Sequence, residues 1–157
     1  MRRSPHLLQL SREHHTALVL AKRAQRLARG TAAAAQEFMD ELPAVFEHEL
    51  EPHFQVEEIA LLSALRDAQA ADGAEDVVSM VERTLLEHAG LRELARRIGG
   101  QDFSSLAVFG ELLDGHVRFE ERELFNRAES LLSPEALARI DEAHRQMGAG
   151  CRSTLPS

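Results

Sequence analysis

Four long stretches of the chain place apolar residues at spacings of three and four, the pattern of a helix with one buried face. The first stripe reads Leu10, His14, Ala17, Ala21, Ala24. The second reads Phe46, Leu50, His53, Glu57, Leu61, Ala64. The third is Val81, Leu85, His88, Leu91, Ala95, and the fourth Phe109, Leu113, His116, Glu120, Leu124, Ala128. No strand-like alternation is present. Spacing and breakers predict helices over 11–29, from 31 or 36 to 70, over 75–98 and over 103–132. Ser11 reads as an N-cap, and Gly30 and Gly99-Gly100 as stops. Pro52 predicts a kink or a fresh start, because it has no N–H to donate. Ser133-Pro134-Glu135 opens a fifth, shorter helix, with proline at its first position. The expected organisation is all-α, one domain over 1–150 and a disordered tail over 151–157.

The chain also repeats itself. Glu13-His14 aligns with Glu87-His88, with apolar residues at the same offsets after each. His53 aligns with His116, which sets Glu57-Glu58 against Glu120-Glu121. Each half is therefore a helix bearing Glu-His followed by a helix bearing His-x-x-x-Glu-Glu. A repeated helical pair predicts a four-helix bundle with approximate two-fold symmetry.

Composition narrows the function. The formal charge is −8 with no long basic block, which argues against nucleic acid. No apolar run approaches the roughly 20 residues that span a bilayer. The apolar run near the N-terminus is too short for a signal peptide, so the expected location is the cytoplasm. The single cysteine, Cys151, excludes an internal disulfide.

Eight histidines are the unusual feature. His14, His53, His88 and His116 fall one per stripe, joined one turn later by Glu57 and Glu120. A lone inward histidine is usually a hydrogen-bonded core residue, and a lone His-x-x-x-Glu is usually a surface pair. Four histidines and two carboxylates on core faces are different, because burying them without a cation is costly. Two metal ions would satisfy all six. His15 competes with His14, and the Glu-His alignment favours His14. Glu121 competes with Glu120, and the repeat favours Glu120. Glu58 and Glu121 read as solvated. His6, His48 and His144 read as arm, surface or packing residues. With no cysteine in the stripes, a structural zinc site is disfavoured. Two carboxylates able to bridge, flanked by histidines, suit a carboxylate-bridged di-iron centre, with manganese or a mixed pair feasible on the same donors.

The motifs REHHTAL, PHFQVEE, LEHAGLREL and GHVRFEE, in this order over roughly residues 7–132, resemble the hemerythrin-like (HHE cation-binding) family. The resemblance implies an up-down-up-down bundle holding two iron ions joined by an oxo or hydroxo bridge. His14 and His53 would bind one iron, His88 and His116 the other, with Glu57 and Glu120 bridging. Oxygen-carrying relatives have a further histidine where this chain has Thr84, so each iron here would keep an open position. The expected function is binding or sensing of O2, NO or reactive oxygen species, with a separate protein partner carrying any signal. The alternatives are a di-iron oxidoreductase of peroxidase, catalase-like or oxidase type, an iron storage or repair protein, and a bundle that binds no metal.

Overall fold

The computed structural model describes residues 2–152. Among them lie five helices and no strand. Helix α1 is Leu8–Ala28. Helix α2 is a continuous rod over residues 32–72, and α3 is Glu75–Gly99. Helix α4 is a continuous rod over residues 105–131, and α5 is Pro134–Arg152. Each terminus has a local cause. Thr31 caps α2 by accepting from the Ala34 N–H at 3.2 Å. Gly73, at φ +69°, ends α2 in the left-handed conformation that glycine adopts without strain. Ser133 caps α5 through the Ala136 N–H at 3.1 Å.

Two expectations change. Ser11 is not a cap: α1 begins three residues earlier, at Leu8. The cause is tertiary, since Leu7 and Leu10 are core residues and Arg3 pins the N-terminal arm to Glu121 and Glu129. At Pro52, α2 neither breaks nor restarts. The turn just before it, Phe46–Leu50, widens to a π turn, with the Glu51 N–H reaching back to the Phe46 carbonyl. The wider turn accommodates a residue that cannot donate to the carbonyl four positions earlier. Of the predicted tail, Cys151 and Arg152 continue α5, and residues 153–157 lie outside the described residues.

Helix α1 packs along α4, α4 on α3, α3 on α2, and α2 back on α1, while α5 lies against α2. The α1–α4 contact is close. A Cβ on Gly110 would meet the Ala21 carbonyl oxygen at 2.8 Å and the Gln25 side chain at 2.6 Å. Glycine inside a helix costs up to about 1 kcal/mol relative to alanine, so Gly110→Ala would stabilise an isolated helix. Here the backbone clash outweighs that gain. A net destabilisation of about 1–3 kcal/mol is expected from overpacking, and urea unfolding checks it.

The core is divided. One apolar cluster holds Ala17, Leu50, Phe54, Leu91, Leu113 and Val117 among its members. The other holds Leu10, Val56, Val81 and Phe119 among its members. His14 falls between Leu10 and Ala17, His53 between Leu50 and Val56, His88 between Val81 and Leu91, and His116 between Leu113 and Phe119. Every helix of the ring thus crosses from one cluster to the other at its histidine. A polar layer sits where a single apolar core would otherwise be continuous.

Candidate metal centre

All six predicted residues converge in that layer and none is more than 4% exposed. They form two groups that share both carboxylates. His14, His53, Glu57 and Glu120 make one, and Glu57, His88, His116 and Glu120 the other. Within each group the nearest nitrogen and oxygen atoms all lie within 4.8 Å of one another. His15 and His48 are exposed, so the register falls on His14. Glu120 is fully buried while Glu121 is only partly so.

Local backbone helps aim the carboxylates. Glu57 opens a π turn over Glu57–Leu61, and Glu120 opens another over Glu120–Leu124. In each, the N–H five residues on, Leu62 or Phe125, bonds to the glutamate's own carbonyl. Such turns recur at functional sites. The two halves of the repeat carry the same distortion at the same residue.

Each imidazole is held from behind by a carboxylate. His14 Nδ1 donates to Glu121 at 2.7 Å and His53 Nδ1 to Glu13 at 3.0 Å. His88 Nδ1 donates to Glu58 at 2.9 Å and His116 Nδ1 to Glu87 at 3.3 Å. The pairs obey the repeat: Glu13 to His53 becomes Glu87 to His116, and Glu58 to His88 becomes Glu121 to His14. Sequence reasoning gave Glu13, Glu58 and Glu87 no role at the centre, and weighed Glu121 only as an alternative to Glu120, otherwise reading Glu58 and Glu121 as solvated. Their signal was present, because each adjoins an inward residue and recurs in both halves. Phe54 stacks on His88 at 4.0 Å between ring centroids, and Phe125 on His14 at 5.2 Å.

A neutral imidazole that donates from Nδ1 has only a lone pair on Nε2. All four Nε2 atoms face the layer. His88 Nε2 and His116 Nε2 are 3.1 Å apart, acceptor against acceptor. The Nε2 atoms of His14 and His53, and both oxygens of Glu57 and Glu120, are buried without an acceptable hydrogen bond. His53 Nε2 stands 2.5 Å from Glu57, and His116 Nε2 2.8 Å from Glu120, at angles unsuited to hydrogen bonding. Buried polar atoms are otherwise nearly always satisfied. A set of converging lone pairs and carboxylate oxygens is what a cation requires, with the outer carboxylates orienting the imidazoles. These buried groups could hold a metal ion.

Without an ion, a proton must do part of that work. Burial opposes charge on His53, yet the Glu57 carboxylate and the Glu13 hydrogen bond outweigh it and raise its pKa to about 10. Glu57, which burial alone would push up, is drawn down to about 2 by the charge on His53. The equivalent His116 moves the other way: burial lowers its pKa, against the hydrogen bond it donates to Glu87. A metal entering beside His53 must displace that proton, so binding releases protons and weakens as pH falls.

The remaining features set access. A cavity of about 30 Å³ adjoins His14, His53 and His116, walled by Ala17, Leu50 and Leu113. It reaches Glu13, Thr16 and Glu49 between α1 and α2. About 10–15 Å³ suffices for one water, so this space admits one or two water-sized molecules. A roomier groove of about 400 Å³ runs between α2 and α5, and among the described residues its charged lining groups are Asp67 and Arg139. Thr84 is buried and donates to the Met80 carbonyl at 2.8 Å, so its hydroxyl proton is spent within its own helix. No helix among the described residues is long and apolar enough to cross a membrane. No family model, curated protein or solved structure matches the chain.

Proposed function

We propose that the chain is a hemerythrin-like, up-down-up-down four-helix bundle whose polar layer holds two iron ions and binds or senses a small ligand such as O2, NO or peroxide. The observation that carries the reading is the doubled donor set. Two histidine pairs flank two shared carboxylates, every imidazole is aimed by a carboxylate behind it, and the inward nitrogens of His14 and His53 and all four oxygens of Glu57 and Glu120 lack hydrogen-bond partners. The ring of helix contacts and the short connections at 29–31, 73–74 and 100–104 support the bundle. His14 and His53 would hold one ion, His88 and His116 the other, with Glu57 and Glu120 between them. Nitrogen and oxygen donors without thiolate suit iron or manganese. Iron would supply a redox-active centre able to take a ligand at a position the protein leaves open. Each ion would have the same two imidazoles and two carboxylates, with Thr84 adding nothing. The cavity beside His53, about 30 Å³, matches a diatomic molecule in size better than an organic substrate. That favours a binder over an oxidoreductase acting on larger molecules.

The test is the metal content of protein purified from iron-supplemented cells, with absorption spectra before and after air exposure. About two irons per chain, with near-ultraviolet bands that vanish on reduction, is the expected result. Zinc alone, or no metal, would overturn it. With iron present, a spectral change that saturates at about one equivalent of ligand marks a binder. Continued consumption of peroxide or O2 marks an enzyme.

A further inference from the structure

Three of the four carboxylates behind the histidines are themselves held by arginines. Arg3 reaches Glu121 at 2.9 Å, Arg92 reaches Glu58 at 2.8 Å, and Arg83 reaches Glu87 at 3.2 Å. The fourth departs from the pattern. Glu13 is met by His144 of α5, whose Nε2 lies 2.9 Å from Oε1. That same oxygen accepts from His53 at 3.0 Å. Under the internal repeat, the position matching Arg83 is Gln9, which offers no positive charge. The first half of the repeat lacks the arginine that the second half uses, and the helix outside the repeat fills the gap. His144 is 17% exposed and Glu13 31%, so the chain His53–Glu13–His144 runs from the buried layer to the surface.

We propose that His144 is a positioning residue for the His14–His53 half of the metal centre: through Glu13 it fixes the His53 imidazole, so the accessory helix α5 governs one ion position and not the other. This rests on the metal reading above. Glu13 has a second demand on its oxygen and a flexible stem. Without His144 it is free to turn to solvent, and His53 then loses the partner that keeps its Nε2 lone pair inward. Removal of a carboxylate behind a metal-bound histidine costs about 10–100-fold in affinity. His144 acts one step further out, so a loss at the lower end of that range is expected.

The experiment compares His144→Leu with His144→Gln by anaerobic ferrous titration of metal-free protein, followed by calorimetry. The two variants fill similar space, but only glutamine can donate to Glu13. In His144→Leu, one of the two binding steps should weaken by about tenfold, the other should stay put, and His144→Gln should bind like the wild type. The melting temperatures of the metal-free proteins provide the readout of packing. The proposal is overturned if His144→Leu binds as the wild type does, if glutamine fails to rescue, or if Ile140→Ala, which loosens the buried side of α5, reproduces the loss. Wild-type protein that takes up no metal overturns the metal reading itself, a distinct result.

Discussion

Metal-free protein titrated with ferrous iron under anaerobic conditions is expected to melt about 10–20 °C higher, and a chelator should return it to its starting point. The size follows from linkage. A ligand at 100 times its dissociation constant stabilises the folded state by about 2.7 kcal/mol. Two ions bound only by the folded chain would supply about 5 kcal/mol. In a domain of this length, each kcal/mol raises the melting temperature by about 2–4 °C. The direction follows from the layer itself. Glu57 and Glu120 are fully buried with no hydrogen bond to either oxygen. Two imidazole nitrogens face each other at 3.1 Å. Desolvated acceptors without partners are costly, and the layer interrupts a core that apolar residues would otherwise fill. Any ion that meets these atoms removes the penalty. Differential scanning calorimetry across a metal series measures the effect. A melting temperature indifferent to iron, manganese and chelator would mean that the layer is satisfied by protons alone, as the His53–Glu57 pair already is in part.

The six converging residues were legible in the sequence because helical periodicity places residues three and four apart on one face, and because the repeat singles out the same positions twice. Residues of the next layer were not legible in the same way. Glu58, one position past Glu57, points about 100° around the helix. Viewed on a single helix it belongs to the solvated side. In the fold that side faces His88 of the neighbouring helix, and a surface residue becomes the group that fixes an imidazole. Glu121 does the same for His14. The three π turns escaped for a related reason. A π turn advances the face by one residue without changing composition. After Glu57 the buried positions are Leu61, Leu62 and Leu65, whereas the regular stripe would have passed through Ala64. The early start of α1 depends on Arg3 bonding to residues more than a hundred positions away. His144 has no periodic partner at all, and only the docking of α5 on α2 reveals its contact with Glu13.

Glu57→Gln is expected to abolish binding of both ions, whereas His88→Ala should leave one. Glu57 and Glu120 belong to both donor groups, while each histidine belongs to one. A shared carboxylate does two things that an amide of the same shape cannot. It offers an anionic oxygen to each cation, and it offsets the repulsion between two dications held in a low-dielectric interior. Glutamine preserves the volume at a position with no exposure, so loss of metal cannot be assigned to a cavity. Affinity for both ions should fall by more than about 100-fold, beyond the range for residues that only orient a ligand. His88→Ala removes one donor from one group, and the His14–His53 half keeps its complete set. Metal analysis after equilibrium dialysis at fixed free iron distinguishes the cases, with circular dichroism confirming that each variant is folded. If Glu57→Gln retained one tightly bound ion, the two groups would be independent mononuclear sites that happen to adjoin. A bridged pair predicts that removing either carboxylate empties both positions together, because each carboxylate would supply an oxygen to both ions.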